Sequence, residues 1–216
     1  MRPYMRPDHY GRTTIRNLYY DTDTYLLIRR SMDKPAYKEK LRIRSYCQVN
    51  NNGSVFVELK KKYQHLVYKR RISLDNDAAM AWIAGENNCN IQSQIAKEID
   101  YFKTFYGKLR PSVFLSYDRE AFYSIDGGDF RVTFDDHILC RQEDLSLTSE
   151  VYGVPILPEG NVLMEIKCSG GIPLWMTQVL SSQKIYKTSF SKYAMAYQKL
   201  IFPQKHPING YNMLEV

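Results

Sequence analysis

No apolar run in this chain approaches the ~20 residues that a membrane-spanning helix needs. The opening MRPYMRPDHYGR carries the charge of a secretion signal without its apolar segment, so a cytoplasmic protein is expected. Cysteine is scarce, with four in 216 residues. Cys47, Cys89, Cys140 and Cys168 form no CxxC pair, and His9, His65, His137 and His206 show no ligand spacing. Both facts argue against a zinc site or a disulfide framework and for reduced thiols. Neither G-x-x-x-x-G-K-[ST] nor G-x-G-x-x-G is present, and Gly127-Gly128 and Gly170-Gly171 read as turns. With no Cys/His couple or Ser/His/Asp set standing out, covalent catalysis has little support. A dividing linker is also missing. One domain over 1–216 is expected, with a core of about 10–200 and an irregular tail over 202–216 containing Pro203, Pro207 and Asn209-Gly210.

The chain does have positive charge, and has it in one place. The formal balance is +7. Between Arg29 and Arg71 stand 13 lysines and arginines against three acids, Asp33, Glu39 and Glu58. That segment is net +10 and the remainder net −3, which points to a local anionic partner.

The periodicity of the segment is that of strands, whose alternate side chains face opposite ways. In Lys38-Glu39-Lys40-Leu41-Arg42-Ile43-Arg44 the cations take every second place, with Leu41 and Ile43 on the other face. Beyond the turn signal Asn50-Asn51-Asn52-Gly53, Glu58, Lys60 and Lys62 share a face opposite Val55, Val57 and Leu59. Val67–Ile72 is a third strand. Val113–Arg119, Phe130–Asp135 and Val162–Lys167 repeat the design, and Val162–Lys167 echoes Val55–Lys60 as V-x-[VM]-E-[LI]-K. An antiparallel sheet with one apolar and one solvated face is the plain reading. However, the polar faces carry mostly cations, and like charges opposite one another repel unless an anion sits between them. That favours a sheet curled around a charged concavity, with helices packed on its apolar outside.

Helices are predicted at Ala78–Ala84, capped from Asp75-Asn76-Asp77 and stopped by Gly85. A second is expected along Ile91, Ile95, Ile99, Phe102 and Phe105 up to Gly107, and a third over Leu174–Ser181 behind Pro173. In the last, capped by Ser189 or Ser191, Phe190, Tyr193, Tyr197 and Leu200 form the buried stripe.

Facing arginines and lysines with a few carboxylates suit a polyphosphorylated ligand. Arg forks grip phosphate oxygens, Lys adds point charges, and a carboxylate holds Mg²⁺ or Mn²⁺ bridging two phosphates. Glu58 and Glu165 are the candidate metal ligands, with ion pairing to neighbouring cations as their alternative role. A nucleic-acid partner is the rival reading, since 18 tyrosines could stack bases, but no nucleic-acid module is recognisable.

Several segments occur together and in order from about Tyr10 to Leu200: Ile15–Thr22, Tyr37–Tyr46, Val57–Lys62, Tyr68–Arg71, Tyr117–Phe122, Arg131–Asp135, Met164–Lys167 and Ser189–Tyr193. The set resembles the VTC domain, the catalytic domain of polyphosphate polymerases and of stand-alone bacterial relatives, within the CYTH-like triphosphate tunnel metalloenzymes. The resemblance implies an α+β protein built on an antiparallel tunnel barrel with a cationic lumen. It also implies binding of ATP and inorganic polyphosphate and transfer of the terminal phosphoryl group to the chain with Mn²⁺ or Mg²⁺. By the same resemblance Arg42, Arg44, Lys60, Arg119, Arg131 and Lys192 are tunnel phosphate ligands, with Ser191 beside Lys192 at the start of the last helix. Lys40, Lys69, Arg70 and Lys167 line the tunnel more loosely, and Glu165, with Glu58 second, holds the metal. Hydrolysis of a triphosphate, or binding of a polyanion without turnover, remain the alternative functions. Family members begin with an R-x-E-x-K-Y strand and a helix for which this sequence offers no counterpart, so an open sheet edge is expected.

Overall fold

A computed structural model describes residues 1–205. Nine strands, β1 Met5–Pro7, β2 Thr13–Asp21, β3 Tyr37–Ser45, β4 Ser54–Tyr63, β5 Leu66–Asp75, β6 Arg110–Ser124, β7 Arg131–Arg141, β8 Val154–Pro155 and β9 Leu163–Lys167, form one sheet. The order is β5-β4-β3-β2-β6-β7-β8, with β1 on β6 and β9 on β7. Every pairing is antiparallel. Ladder hydrogen bonds do not close the sheet, so its edges are β5 on one side and β8 and β9 on the other.

Alternation sorts the side chains as the sequence indicated. On the outer face Leu18, Leu41, Ile43, Val55, Val57, Leu59 and Phe114 are fully buried. They lie beneath α2 (Asn76–Ala84) and α3 (Gln94–Tyr106), whose Trp82, Ile99 and Phe102 join the same cluster. A second outer cluster packs Phe130, Val132 and Ile166 against Met176 and Trp175 of α4 (Leu174–Ser182). At about 25 cal/mol per Å² of apolar surface removed from water, these two layers are the main stabilising term. A third cluster fills one end of the inner face. There Ile15, Tyr19, Val113 and Leu115 meet Ile28 of α1 (Leu26–Met32) and Tyr193, Ala196, Tyr197 and Ile201 of the C-terminal helix. That helix runs from α5 (Lys192–Ala196) through a wider π segment (Tyr197–Ile201) into α6 (Phe202–Lys205).

Asp21 ties these last pieces together. The start of α1 has no side-chain cap at Tyr25. Instead the buried Asp21 carboxylate accepts from Leu27 N–H (2.8 Å), Ile28 N–H (3.0 Å) and the Tyr193 hydroxyl (2.9 Å). Asp21→Ala should therefore cost about 3 kcal/mol, since several charge-assisted bonds are lost at once. Chemical denaturation checks this, and an unchanged midpoint would contradict it.

The structure corrects several expectations. Ser93 caps α3 by accepting from Ala96 N–H, so the helix starts at Gln94 and leaves Ile91 outside, exposed. The buried stripe continues from Phe102 to Tyr106, whose hydroxyl donates to Glu39 (2.7 Å), while Phe105 points to solvent. The second helix begins at Asn76 with no side-chain cap bond, and Pro173 is the cap of α4 rather than its first residue. Of the two serines, Ser191 caps α5. Phe190, ahead of that cap, and Leu200 pack only at the margin of the cluster. The tail is helical over Phe202–Lys205, and the remainder of the expected irregular tail, 206–216, lies outside the described residues. The strand Met5–Pro7 carried no periodic signal; its backbone pairs with Phe122–Ser124.

Candidate functional site: a cationic concavity

The sheet curls so that its polar face surrounds a cavity of about 540 Å³. Arg44 of β3, Lys69 and Arg71 of β5, Arg119 of β6, Arg131 of β7 and Lys167 of β9 all line it. Strand register produces this convergence. Across β3 and β4, Arg42 lies opposite Glu58 and Lys40 opposite Lys60, and across β4 and β5, Glu58 lies opposite Arg71 and Lys60 opposite Lys69. On the far wall Arg119 faces Asp135, Thr133 faces Glu165 and Arg131 faces Lys167.

Two carboxylates act as hubs among these cations. Glu58, 1% exposed, accepts from Arg42 (2.7 and 2.8 Å), from Lys69 (2.8 Å) and from Arg71. Burial alone would raise its pKa. The charges of Arg42 and Arg44 and the hydrogen bond from Lys69 instead hold it well below the ordinary carboxylate range. Asp135, wholly buried, takes a fork from Arg119 (2.6 and 2.7 Å) and the ammonium of Lys192 (2.6 Å). Here too burial raises the pKa while Arg119 and Lys192 bring it down. Glu58 is therefore saturated by ion pairs, and its candidacy as a metal ligand does not fit the structure. Glu165 differs. It is exposed, and its oxygens lie 3.5 Å from Lys167 and 3.7 Å from Arg119, too far to be consumed by hydrogen bonds.

Tyrosines floor the concavity. Arg44 is fixed by Asn17 Oδ1 (2.8 Å) and the Tyr117 hydroxyl (2.9 Å). Both Arg119 and Lys192 sit over the Tyr117 ring, a favourable cation–π placement. Tyr19, stacked on Tyr193, accepts from Arg42 (3.0 Å). Its burial would raise the hydroxyl's pKa, yet Arg42, Lys40 and Arg44 bring it down to about 8. Lys40 donates to Ser191 (2.9 Å), and burial, helped by neighbouring Lys38, Lys60 and Arg42, pushes it down to about 8. Lys60 makes no hydrogen bond or ion pair among the described residues, and the pKa of its ammonium is lowered by desolvation first and by Arg42 next. Such crowding of like charge without compensation is what a bound anion would relieve.

Of the residues singled out in the sequence, Arg42, Arg44, Lys60, Arg119, Arg131, Lys192, Lys40, Lys69, Lys167, Ser191, Glu165 and Glu58 lie on or beside this face. Arg70 does not. It is on the opposite face of β5 and pairs with Glu98 of α3 at 2.9 Å. The same alternation that places Lys69 inside selects Arg71, two residues on, which sequence reading passed over. Asp135 was likewise missed, though its position two residues from Thr133 on a polar strand face was visible.

Two buried polar atoms in the wall have no partner: Nε of Arg131 and Oγ1 of Thr133. Buried donors are rarely left so. They stand next to Glu165 and Lys167 across β7 and β9, where a ligand oxygen or a metal-bound water would satisfy them. The three-ligand cluster among the described residues is elsewhere, at Asp118, Asp136 and His137 on the outer face. The Arg12 guanidinium already bridges Asp118 and Asp136 there. No helix among the described residues is long and apolar enough to cross a membrane.

A "putative adenylate cyclase" from Bacillus halodurans is similar in structure with a TM-score of 0.52 at 14% identity, covering 90% of this chain and 85% of that one. A Pyrococcus horikoshii protein gives a TM-score of 0.44 at 14% identity, covering 92% of this chain and 87% of that one. No curated protein matches the chain in sequence. The sequence profile of the VTC domain matches residues 1–201. With that match over nearly all the described residues, and cations from five strands gathered on one concave face of a tunnel-type sheet, the chain belongs to the VTC domain family.

Proposed function

We propose that this protein binds ATP and polyphosphate in the concavity and transfers the terminal phosphoryl group to a polyphosphate chain. The observation that supports this most is the convergence of Arg44, Lys69, Arg71, Arg119, Arg131 and Lys167 on one cavity. The counter-ions among the described residues are the two hubs and the long ion pairs of Glu165 to Lys167 and Arg119. Phosphoryl transfer asks a protein mainly for positioning and charge neutralisation. Arg44 and Arg119, each locked by hydrogen bonds, are preorganised to fix phosphate oxygens. Lys60 and Arg131, not so locked, would close on the ligand.

The residues present also fit a divalent cation. Glu165 offers a carboxylate held only by long ion pairs to Lys167 and Arg119, and Thr133 an unpartnered hydroxyl directly across the β7–β9 ladder, an all-oxygen set of the kind Mg²⁺ and Mn²⁺ prefer. A divalent ion held by Glu165 and Thr133 would supply positive charge to phosphate oxygens.

Incubation with ATP and Mn²⁺ tests the reading. Chains longer than tripolyphosphate are the expected product, whereas free phosphate alone would assign a triphosphatase. Tight polyphosphate binding with neither product would reduce the protein to a binding module. Glu165→Gln is expected to abolish metal-dependent turnover while polyphosphate affinity stays within about threefold, since one exposed carboxylate is removed from a cationic site. Unchanged turnover would remove Glu165 from the mechanism.

A further inference from the structure

A group of large apolar side chains stays exposed on the outer face of the sheet, just beyond the part that α3 covers. Strand alternation puts Tyr37 of β3, Tyr63 of β4 and Leu66 and Tyr68 of β5 on that face. The register sets Tyr37 opposite Tyr63 and Tyr63 opposite Leu66, so they form one row at the strand ends. Helix α3 supplies the next row. Its Glu98 bonds Arg70 of β5 (2.9 Å), and its Tyr106 shares Glu39 of β3 with Tyr37 (2.7 and 2.6 Å), so the helix crosses all three strands. One flank faces α2, where Asp100 accepts from the Trp82 indole (2.7 Å). Glu98, Tyr101 and Phe105, spaced by three and four, make the other flank, turned to the strand ends. There Tyr101 and Phe105 stack with centroids 6.2 Å apart.

Each of these six side chains, Tyr37, Tyr63, Leu66, Tyr68, Tyr101 and Phe105, is between 46% and 67% exposed. Aromatic side chains carry 150–250 Å² each, so at half exposure the six leave roughly 600 Å² uncovered, the upper end of what a monomer shows. A standard interface takes about 800 Å² from each partner, of which this patch would be the apolar centre. The charged residues set among these side chains are paired with one another: Arg70 with Glu98, and Lys61 with Glu98 and Glu39. The patch therefore selects no partner of opposite sign, and two copies meet there without repulsion. Tyrosine hydroxyls both donate and accept, which makes the surface complementary to itself. The patch also borders β5, an edge strand of ten residues in unbroken register without proline, whereas the edges at β8 and β9 are two and five residues long.

We infer that two copies of this chain associate through this face about a two-fold axis, the α3 flank of each lying on Leu66 and Tyr68 of the other. Such a contact is isologous and closes at two. Lys69 and Arg71 alternate to the opposite face of β5, so the concavity of each copy stays open in the dimer.

Sedimentation velocity of the full chain tests this, in buffer free of polyanions so that nothing bridges the cations of the concavity. The wild type should pass from monomer to dimer with a dissociation constant of about 1–100 μM, the weak end for an interface of this size. The double variant Tyr101→Lys/Phe105→Lys should dimerise at least about tenfold more weakly, the effect of putting unpaired charge into an apolar contact. Its melting temperature at low concentration should match wild type, because both side chains are exposed. If that variant does not fold, Leu66→Lys, on the strand side of the patch, carries the same expectation. A wild type that stays monomeric up to about ten times the weaker limit overturns the proposal and leaves the face to a different protein. A dimer that the substitutions do not weaken, or association that continues beyond two copies, also overturns it.

Discussion

Glu58→Ala should destabilise the free protein by about 3 kcal/mol, because it leaves Arg42, Lys69 and Arg71 facing one another with nothing between them. The figure is set at the lower end for a broken buried ion pair because Lys69 is 44% exposed on its side chain and Arg71 33%. The sign with pH follows from the lowered pKa of Glu58 in the fold. Its stabilisation is complete above the ordinary carboxylate range and is lost as pH falls toward the folded-state value. Wild type should therefore weaken in acid more than the variant does. Tripolyphosphate should restore much of the loss, since it would replace the missing negative charge among the same cations. Thermal melts with and without tripolyphosphate check both parts. A variant as stable as wild type, or one that tripolyphosphate leaves unmoved, would mean that Glu58 does not hold these cations together.

The second large effect lies on the other side of the same distinction. Lys60 and Arg131 are not engaged by the carboxylate hubs, so the fold gains little from their charge and the ligand should gain much. Lys60→Ala and Arg131→Ala are each expected to weaken tripolyphosphate binding by about 10- to 100-fold, the loss of one charge-assisted contact. Melting temperatures should stay the same or rise slightly as crowding is relieved. Calorimetric titration alongside a melt separates the two quantities. Loss of stability with unchanged affinity would reverse the assignment, making these residues structural.

The contrast between paired and unpaired cations also explains how much of the site could be read beforehand. Period-two alternation placed Arg42, Arg44, Lys60 and Lys167 on one face, because a strand offers only two faces and hydrophobic burial fixes which one turns outward. The same rule, applied strictly, would have chosen Arg71 over Arg70. The resemblance drew the eye to the contiguous Lys69-Arg70-Arg71, whereas the backbone separates its members onto opposite sides of β5. The roles of the two glutamates were not legible. Glu58 and Glu165 occupy matching places in the two V-x-[VM]-E-[LI]-K segments. One lies in a strand flanked on both sides and is saturated by three cations, while the other lies at the sheet margin with its oxygens open. That difference is set by which strands lie alongside, and local sequence does not encode it. Phe105 and Ile91 failed for a related reason. Helical spacing alone could not show that the Ser93 cap sets the start of α3, or that Tyr106 rather than Phe105 completes the buried line.

The central claim is that cations from five strands form one site for a chain of phosphates. A crystal structure of the full chain with tripolyphosphate tests it most directly. The account predicts phosphate oxygens within hydrogen-bonding distance of Arg44, Arg119 and Arg131 inside the concavity, with Thr133 and Arg131 Nε no longer unpartnered. Tripolyphosphate seated on the outer face, or an empty concavity at a saturating concentration, would contradict it.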